Sequence, residues 1–290
     1  MSQKIAVAII HGVGSQGCDF AESLIDPVKD RFHKLIGAKA CNSDEQLVME
    51  PVYWAPVLET EEKELLRRVK READLGYGDL RQFMVSFAAD AIAYQPVPKE
   101  RAAYDDIHAV MAKSLKHLAR MAGPKAPLCI VAHSLGTIIA CNYMYDLLKL
   151  EKGFMAQSLR DQTRGTPLER GETFAAFYTF GSPIALWSLR FDDFGTPIEF
   201  PSSKLREHQP SLTRDVCKWI NFFNRNDILA YPLKTLNDAY GQTVSEDHEV
   251  SVGGWLSRLT PLSHTKYWAA PRVTKPIADG LAKLWKAVNP

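Results

Sequence analysis

The residues Ile130-Val-Ala-His-Ser134-Leu-Gly136-Thr place a serine between an apolar run and a second apolar segment. An apolar run precedes the serine and a segment with helical apolar spacing follows it, so a strand, a tight turn and a helix are predicted in succession. The residues two before and two after the serine must be small because the chain bends sharply, and here they are Ala132 and Gly136. Glycine is usual at the first position, and alanine adds only one methyl group. The serine oxygen then projects at the carboxyl edge of the sheet above a helix N-terminus, which predicts that Ser134 is a nucleophile.

The bare pattern Ser-x-Gly occurs three times in the chain, so its surroundings must select among the copies. Ser15 lies in a glycine-rich turn, with Val13 two positions before it. Ser251 has the bulky Glu249 two positions before it and is followed by glycines rather than by a helical pattern. Ser134 alone has a predicted strand before it and a predicted helix after it.

A second turn follows the first apolar run of the chain, at His11-Gly-Val-Gly14. Glycines there let the main chain approach a reacting oxygen, so an N–H of this turn can pair with the N–H after the nucleophile. We therefore predict an oxyanion hole formed by the amides of Val13 and Leu135. The residues predicted to shape the site are His11, Gly12, Gly14, His133 and Gly136. The alternative is a plain glycine turn or a phosphate-binding loop, since residues 12–17 have the spacing Gly-x-Gly-x-x-Gly, although no Gly-Lys-Ser/Thr ending is present.

The composition excludes several classes of protein. The 290 residues carry 35 Lys and Arg against 34 Asp and Glu, and the net charge of +1 gives no electrostatic basis for binding nucleic acid or an anionic membrane surface. No run approaches about 20 consecutive apolar residues, so no transmembrane segment is expected. The apolar run at residues 5–10 is too short for a signal peptide and predicts a buried strand. The five cysteines are odd in number, widely spaced and without a Cys-x-x-Cys pair, so we expect reduced thiols, a cytoplasmic location and no metal site.

Short apolar runs alternate with helical patterns along the chain. The predicted strands are Lys4–Ile10, Gln46–Trp54, Leu128–Ala132, Thr173–Phe180, Cys217–Phe223 and Glu249–Val252. Several are apolar throughout, which is typical of parallel strands covered on both faces. The predicted helices are Glu59–Asp74, Leu80–Tyr94, Tyr104–Met121, Thr137–Leu150 and Pro276–Val288. This order predicts an α/β fold with a mostly parallel central sheet, flanked by helices and joined by right-handed crossovers. We expect one domain over residues 1–290, with lid- or cap-like insertions around residues 55–100 and 151–215, the second interrupted by a strand.

Three motifs in this order resemble the α/β-hydrolase superfamily, in particular its lipase- and esterase-like members. The motifs are Val7-Ala-Ile-Ile-His-Gly-Val-Gly14, Val131-Ala-His-Ser-Leu-Gly136 and Phe180-Gly-Ser-Pro183. The resemblance runs from Ile5 to the C-terminal helix and is specific to the superfamily rather than to one substrate. It implies a three-layer α/β-hydrolase fold, with an acid after the strand that follows Phe-Gly-Ser-Pro and a histidine after the last strand.

The resemblance implies that Asp227, just past the strand Cys217–Phe223, is the acid. The competing aspartates lie in an insertion, before this strand or in a later loop, and they are Asp192, Asp193, Asp215 and Asp238. His264, between the last predicted strand and the final helix, is implied as the base. His248 stays an alternative, because His264 lies further from the strand than in the shortest family members. We expect His248 to begin the last strand, at the end remote from the site.

The function implied is cleavage of a carboxylic ester, either a lipid or a small acyl ester, through an acyl-enzyme. Ser134 is the nucleophile, His264 the base and Asp227 the group that orients the base. This chemistry needs no metal and no cofactor. The alternatives are a thioesterase, amidase, peptidase or acyltransferase on the same fold, or a non-catalytic interaction protein that keeps the fold.

Overall fold

A parallel six-stranded sheet forms the centre of the molecule, as seen in a computed structural model that describes residues 2–13, 16–37, 45–71, 87–96, 101–148, 155–253 and 261–290. The strands are β1 (Ile5–Ile10), β2 (Leu47–Val52), β3 (Leu128–His133), β4 (Phe174–Phe180), β5 (Trp219–Phe223) and β6 (Glu246–Glu249). Their order in the sheet is β2-β1-β3-β4-β5-β6, and every neighbouring pair is parallel. The predicted α/β class and the parallel sheet are therefore confirmed.

The central strands β1, β3 and β4 are buried along their whole length. Successive side chains of a strand point to opposite faces, so a strand that is apolar throughout supplies two cores. In β1, Ala6, Ala8 and Ile10 belong to one apolar cluster. Ile5, Val7 and Ile9 belong to the apolar cluster on the opposite face.

Helices cover both faces of the sheet. They are α1 (Glu22–Ile36), α2 (Glu59–Arg71), α3 (Ala102–Ala122), α4 (Leu135–Leu148), α5 (Gln157–Gln162), α6 (Ile184–Ser188), α7 (Leu205–His208), α8 (Asp238–Thr243) and α9 (Pro271–Val288). Residues 87–93 are also helical. The apolar sides of α3 and α4 pack on one face, and those of α1 and α9 pack on the other. This gives three layers, helix, sheet and helix.

The predicted bounds of two elements are wrong by three residues or more. The last strand is Glu246–Glu249 rather than Glu249–Val252, because an edge strand exposed to solvent carries charged residues that give no apolar signal. Val250 and Val252 are buried, but they follow the strand. The C-terminal helix begins at Pro271, and Pro276 lies inside it, where its missing N–H removes one helical hydrogen bond.

Parts of the predicted insertions lie outside the described residues, namely residues 72–86, 97–100 and 151–154, as do residues 149–150 at the end of the predicted helix Thr137–Leu150. The second insertion contains α5, α6 and α7, and the strand β4 lies between α5 and α6 in the chain. Within the described part of the chain, no helix combines the length and apolar character needed to cross a membrane.

Candidate active site

Ser134 lies at the turn between β3 and α4, at the carboxyl edge of the sheet. Its φ of 52° is in the left-handed region, which a non-glycine residue adopts only when the surrounding structure enforces it. Its N–H donates to the Phe180 carbonyl of the neighbouring strand at 3.1 Å, which holds the turn against the sheet. Gly136 lies in the first turn of α4, where a side chain would collide with the His11 carbonyl. The strained turn therefore fixes the direction of the serine side chain.

His264 contacts Ser134 from a short 3₁₀ helix, Pro261–Thr265, that follows β6 in the chain. Its Nε2 lies 2.7 Å from Ser134 Oγ, and its Nδ1 lies 2.8 Å from Asp227 Oδ2. An ionised carboxylate only accepts hydrogen bonds, so Nδ1–H donates to Asp227 and Nε2 is left to accept from the serine hydroxyl. The exposed fractions of Ser134, His264 and Asp227 are 0%, 1% and 3%. This chain of hydrogen bonds is therefore shielded from water, and it joins residues 130 and 37 positions apart in sequence.

Asp227 lies in the loop after β5, and its carboxylate accepts hydrogen bonds from a main-chain N–H, a tyrosine hydroxyl and an imidazole ring. Leu229 N–H donates to Oδ1 at 3.1 Å and Tyr267 O–H donates to Oδ2 at 2.8 Å, in addition to the His264 ring. Burial raises the pKa of Asp227, but the hydrogen bond and charge of His264 and these two donors together lower it below its usual 3.8. The carboxylate is therefore ionised and oriented toward His264.

Tyr267 is a site residue that the sequence analysis did not identify. Its hydroxyl donates to Asp227 and accepts from the Asn224 N–H at 3.0 Å. Burial, and then the charge of Asp227, raise the pKa of Tyr267, so the hydroxyl keeps its proton and remains a donor. Its position three residues after His264 was the only available signal, and that spacing has no motif of its own.

His11 holds the main chain of the glycine turn in place. Its Nδ1–H donates to the Gly12 carbonyl at 2.7 Å, and its Nε2 accepts from the N–H groups of Trp54 and Ala55, both at 3.2 Å. The ring also stacks on Trp54 with centroids 4.7 Å apart. Burial lowers the pKa of His11 to about 4, which keeps the ring in the neutral form that these bonds require. Trp54 was not predicted as a site residue.

The glycine turn and the serine turn meet beside the Ser134 side chain. A side-chain carbon on Gly12 would lie 2.6 Å from Ser134 Cβ and 3.2 Å from Ser134 Oγ, so the main chain itself approaches the serine. Val13, the next residue, is buried at this contact. Leu135 opens α4, and the first N–H groups of a helix have no acceptor within it. The two amides predicted for the oxyanion hole therefore belong to turns in contact, while Gly14 lies outside the described residues.

The competing acids and the alternative base lie elsewhere. All four aspartates weighed against Asp227 are exposed to solvent, namely Asp192, Asp193, Asp215 and Asp238. His248 is part of the edge strand, and its Nε2 lies 2.6 Å from Glu246 Oε2. The expected position of His248 is wrong. It pairs with Phe222 near the carboxyl end of β6 rather than beginning that strand, because the strand starts earlier than its apolar residues suggested.

The described residues form no group of three or more His, Cys, Asp or Glu able to hold a metal ion. Four of the cysteines are described and unpaired, and Cys41 lies outside the described residues. Comparison of the chain with protein-family models and with curated proteins finds no match. The site consists of a serine hydroxyl facing a buried histidine and carboxylate. Such an arrangement can withdraw the serine proton as the oxygen attacks an electrophile.

Proposed function

We propose that this protein is a serine hydrolase of the α/β-hydrolase superfamily that cleaves a carboxylic ester. The observation that carries the proposal is the hydrogen-bond chain from Ser134 through His264 to Asp227, with contacts of 2.7 and 2.8 Å. Its place at the carboxyl edge of a parallel sheet, in the turn between a strand and a helix, supports the same assignment.

In the proposed reaction, Ser134 Oγ attacks the ester carbonyl while His264 Nε2 takes the serine proton. Asp227 orients the imidazole and stabilises its positive charge. The amides of Val13 and Leu135 donate to the oxyanion of the tetrahedral intermediate. The intermediate collapses as the carbon–oxygen bond to the alcohol breaks and His264 returns the proton to that alcohol. A water molecule, deprotonated by His264, then cleaves the acyl-serine ester and restores the hydroxyl.

Apolar side chains in the two turns at the serine, and in α6 at the same edge of the sheet, favour an ester with an apolar acyl group, from a small molecule or a lipid. Val13 and Leu135 flank the nucleophile, and Ile184 and Trp187 on α6 follow the carboxyl end of β4. Thioesters, amides and acyl transfer use the same atoms, so a thioesterase, amidase, peptidase or acyltransferase is the second candidate. A non-catalytic scaffold has less support, because a binding protein has no need of a buried carboxylate and imidazole aligned on a serine. The unpaired cysteines fit a cytoplasmic location.

A fluorophosphonate probe, which forms a covalent bond with activated serines, tests the proposal. We expect the wild-type protein to be labelled and Ser134→Ala to lose the label. Ser251→Ala is the matched control, because Ser251 shares the Ser-x-Gly pattern and is exposed, and its labelling should equal that of the wild type. No labelling of folded wild-type protein, or equal labelling of Ser134→Ala, would overturn the proposal. Hydrolysis of p-nitrophenyl esters of rising acyl length, with thioester and amide substrates alongside, then separates the ester reaction from its alternatives.

A further inference from the structure

His133 precedes the serine directly, and its ring reaches the main chain of the proposed base. Its Nε2–H donates to the His264 carbonyl at 2.8 Å, across 131 positions of sequence. We propose that His133 is a positioning residue, whose Nε2–H ties the main chain of the base to the strand that carries the nucleophile. This inference rests on the proposed roles of Ser134 and His264.

The bond from His133 to the His264 carbonyl joins a short helix to the sheet. His264 belongs to a 3₁₀ helix of five residues that is not part of the sheet, whereas His133 ends the buried strand β3. The bonds to Ser134 and Asp227 act at the two ring nitrogens of His264, whereas the bond from His133 acts on its main chain. A bond to the His264 carbonyl fixes the other end of the side chain. A displacement of about 1 Å in such a group can lower turnover by about 100-fold.

The packing around His133 holds its ring in the orientation that this bond requires. The ring stacks on Phe180 with centroids 5.2 Å apart, and the edge contact with Trp268 has centroids 5.4 Å apart. The His264 ring centroid is 4.8 Å away. Gly181, with a φ of +58°, completes this arrangement, because a side-chain carbon there would lie 3.1 Å from both His133 Nε2 and His264 Cε1. The glycine of the Phe-Gly-Ser-Pro motif thus leaves space for the two imidazoles.

The charge state of His133 suits a donor that does not compete with the base. Donation from Nε2 leaves Nδ1 without a proton in the neutral ring. Burial, and then the nearby charge of His264, lower the pKa of His133 to about 3. A neutral His133 leaves His264 free to become positive during the reaction, whereas a charged ring 4.8 Å away would oppose that step.

Three variants of His133 distinguish the effect of its hydrogen bond on kcat from the effect of its ring packing. His133→Phe keeps an aromatic ring and removes the donor, so we expect kcat for a p-nitrophenyl ester to fall by about 10- to 100-fold with KM unchanged. His133→Gln places an amide N–H at nearly the same distance from the main chain as Nε2, and we expect it to recover most of the kcat. His133→Asn is the matched control, because its amide is one carbon shorter and does not reach the carbonyl. It should behave like His133→Phe.

The result that overturns the inference is an unchanged kcat in His133→Phe, or equal losses in the glutamine and asparagine variants. If His133→Phe does not fold, the comparison of His133→Gln with His133→Asn decides, since both are polar and differ only in reach. Hydrogen–deuterium exchange of the main-chain amides at residues 261–270 gives a readout that needs no hydrolysis. Exchange should rise in His133→Asn and stay near the wild-type rate in His133→Gln. A wild-type protein that takes no fluorophosphonate label contradicts the proposed function, whereas equal exchange in these two variants contradicts the tie itself.

Discussion

The Tyr267 hydroxyl stabilises the folded protein through two buried hydrogen bonds, so its removal should lower the free energy of unfolding. Tyr267→Phe keeps the ring and removes one hydroxyl, which donates to Asp227 at 2.8 Å and accepts from Asn224 N–H at 3.0 Å. A hydrogen bond to a charged group contributes about 1.5–3 kcal/mol, and an N–H left without an acceptor in the interior costs about 1–3 kcal/mol. These contributions share one hydroxyl and do not simply add, so we expect the free energy of unfolding to fall by about 3 kcal/mol at pH 7.

Part of this loss must depend on pH, and its direction follows from the pKa of Asp227. That pKa is lowered in the folded protein below the usual 3.8, in part by the Tyr267 donor. A lowered pKa supplies stability that is present above the unfolded value and is lost as pH falls through the folded value. The difference between wild type and Tyr267→Phe should therefore be constant from about pH 5 to 7 and shrink below about pH 4. The Asn224 part of the loss should remain at low pH.

Urea unfolding at a series of pH values measures both quantities. Tyr143→Phe is the matched control, because the Tyr143 hydroxyl is buried and finds no hydrogen-bond partner in the part of the chain that the structure describes. We expect this control to leave the free energy of unfolding unchanged, or to raise it slightly, at every pH. The stabilising role of the Tyr267 hydroxyl is refuted if Tyr267→Phe resembles Tyr143→Phe at pH 7. It is also refuted if the loss in Tyr267→Phe does not shrink when Asp227 is protonated.

Three further predictions concern the site and its support. His264→Ala should lower ester turnover by several orders of magnitude, whereas His248→Ala on the edge strand should stay near wild type, as measured by kcat/KM. Gly12→Ala should reduce fluorophosphonate labelling by about 100-fold, because its side-chain carbon would lie 2.6 Å from Ser134 Cβ and must displace the serine. Thr173→Val should raise the free energy of unfolding in urea by about 1 kcal/mol, because the buried Thr173 hydroxyl finds no partner among the described residues.

Each of these expectations has an opposite result that would contradict it. A large loss in His248→Ala with wild-type turnover in His264→Ala would make the edge-strand histidine the base. Wild-type labelling of Gly12→Ala would mean that the glycine turn can move away from the serine without harm. A destabilised Thr173→Val would mean that the hydroxyl has an acceptor, or that a second methyl group does not fit at the start of β4.

The central strands and the serine turn follow from local sequence. Strands β1, β3 and β4 are buried on both faces, and so their runs of consecutive apolar residues predict them to within two residues. The small residues Ala132 and Gly136 similarly predict the sharp turn at Ser134, because the steric limits of such a turn involve only neighbouring positions. The edge strand β6 does not follow, because an edge strand exposed to solvent needs no apolar run, and its sequence is Glu246-Asp-His-Glu249.

The class of the sheet and the turn at Ser134 can be predicted from the amino-acid sequence, because they depend on periodicity and on short-range sterics. Which distant groups meet depends on the tertiary structure. His264 Nε2 lies 2.7 Å from Ser134 Oγ, whereas His248 Nε2 lies 2.6 Å from Glu246 Oε2. The bonds of Tyr267 to Asp227 and of His133 to the His264 carbonyl are likewise contacts between separate loops. Such contacts depend on where parallel strands end and how their loops pack at one edge, which no local pattern in the chain records.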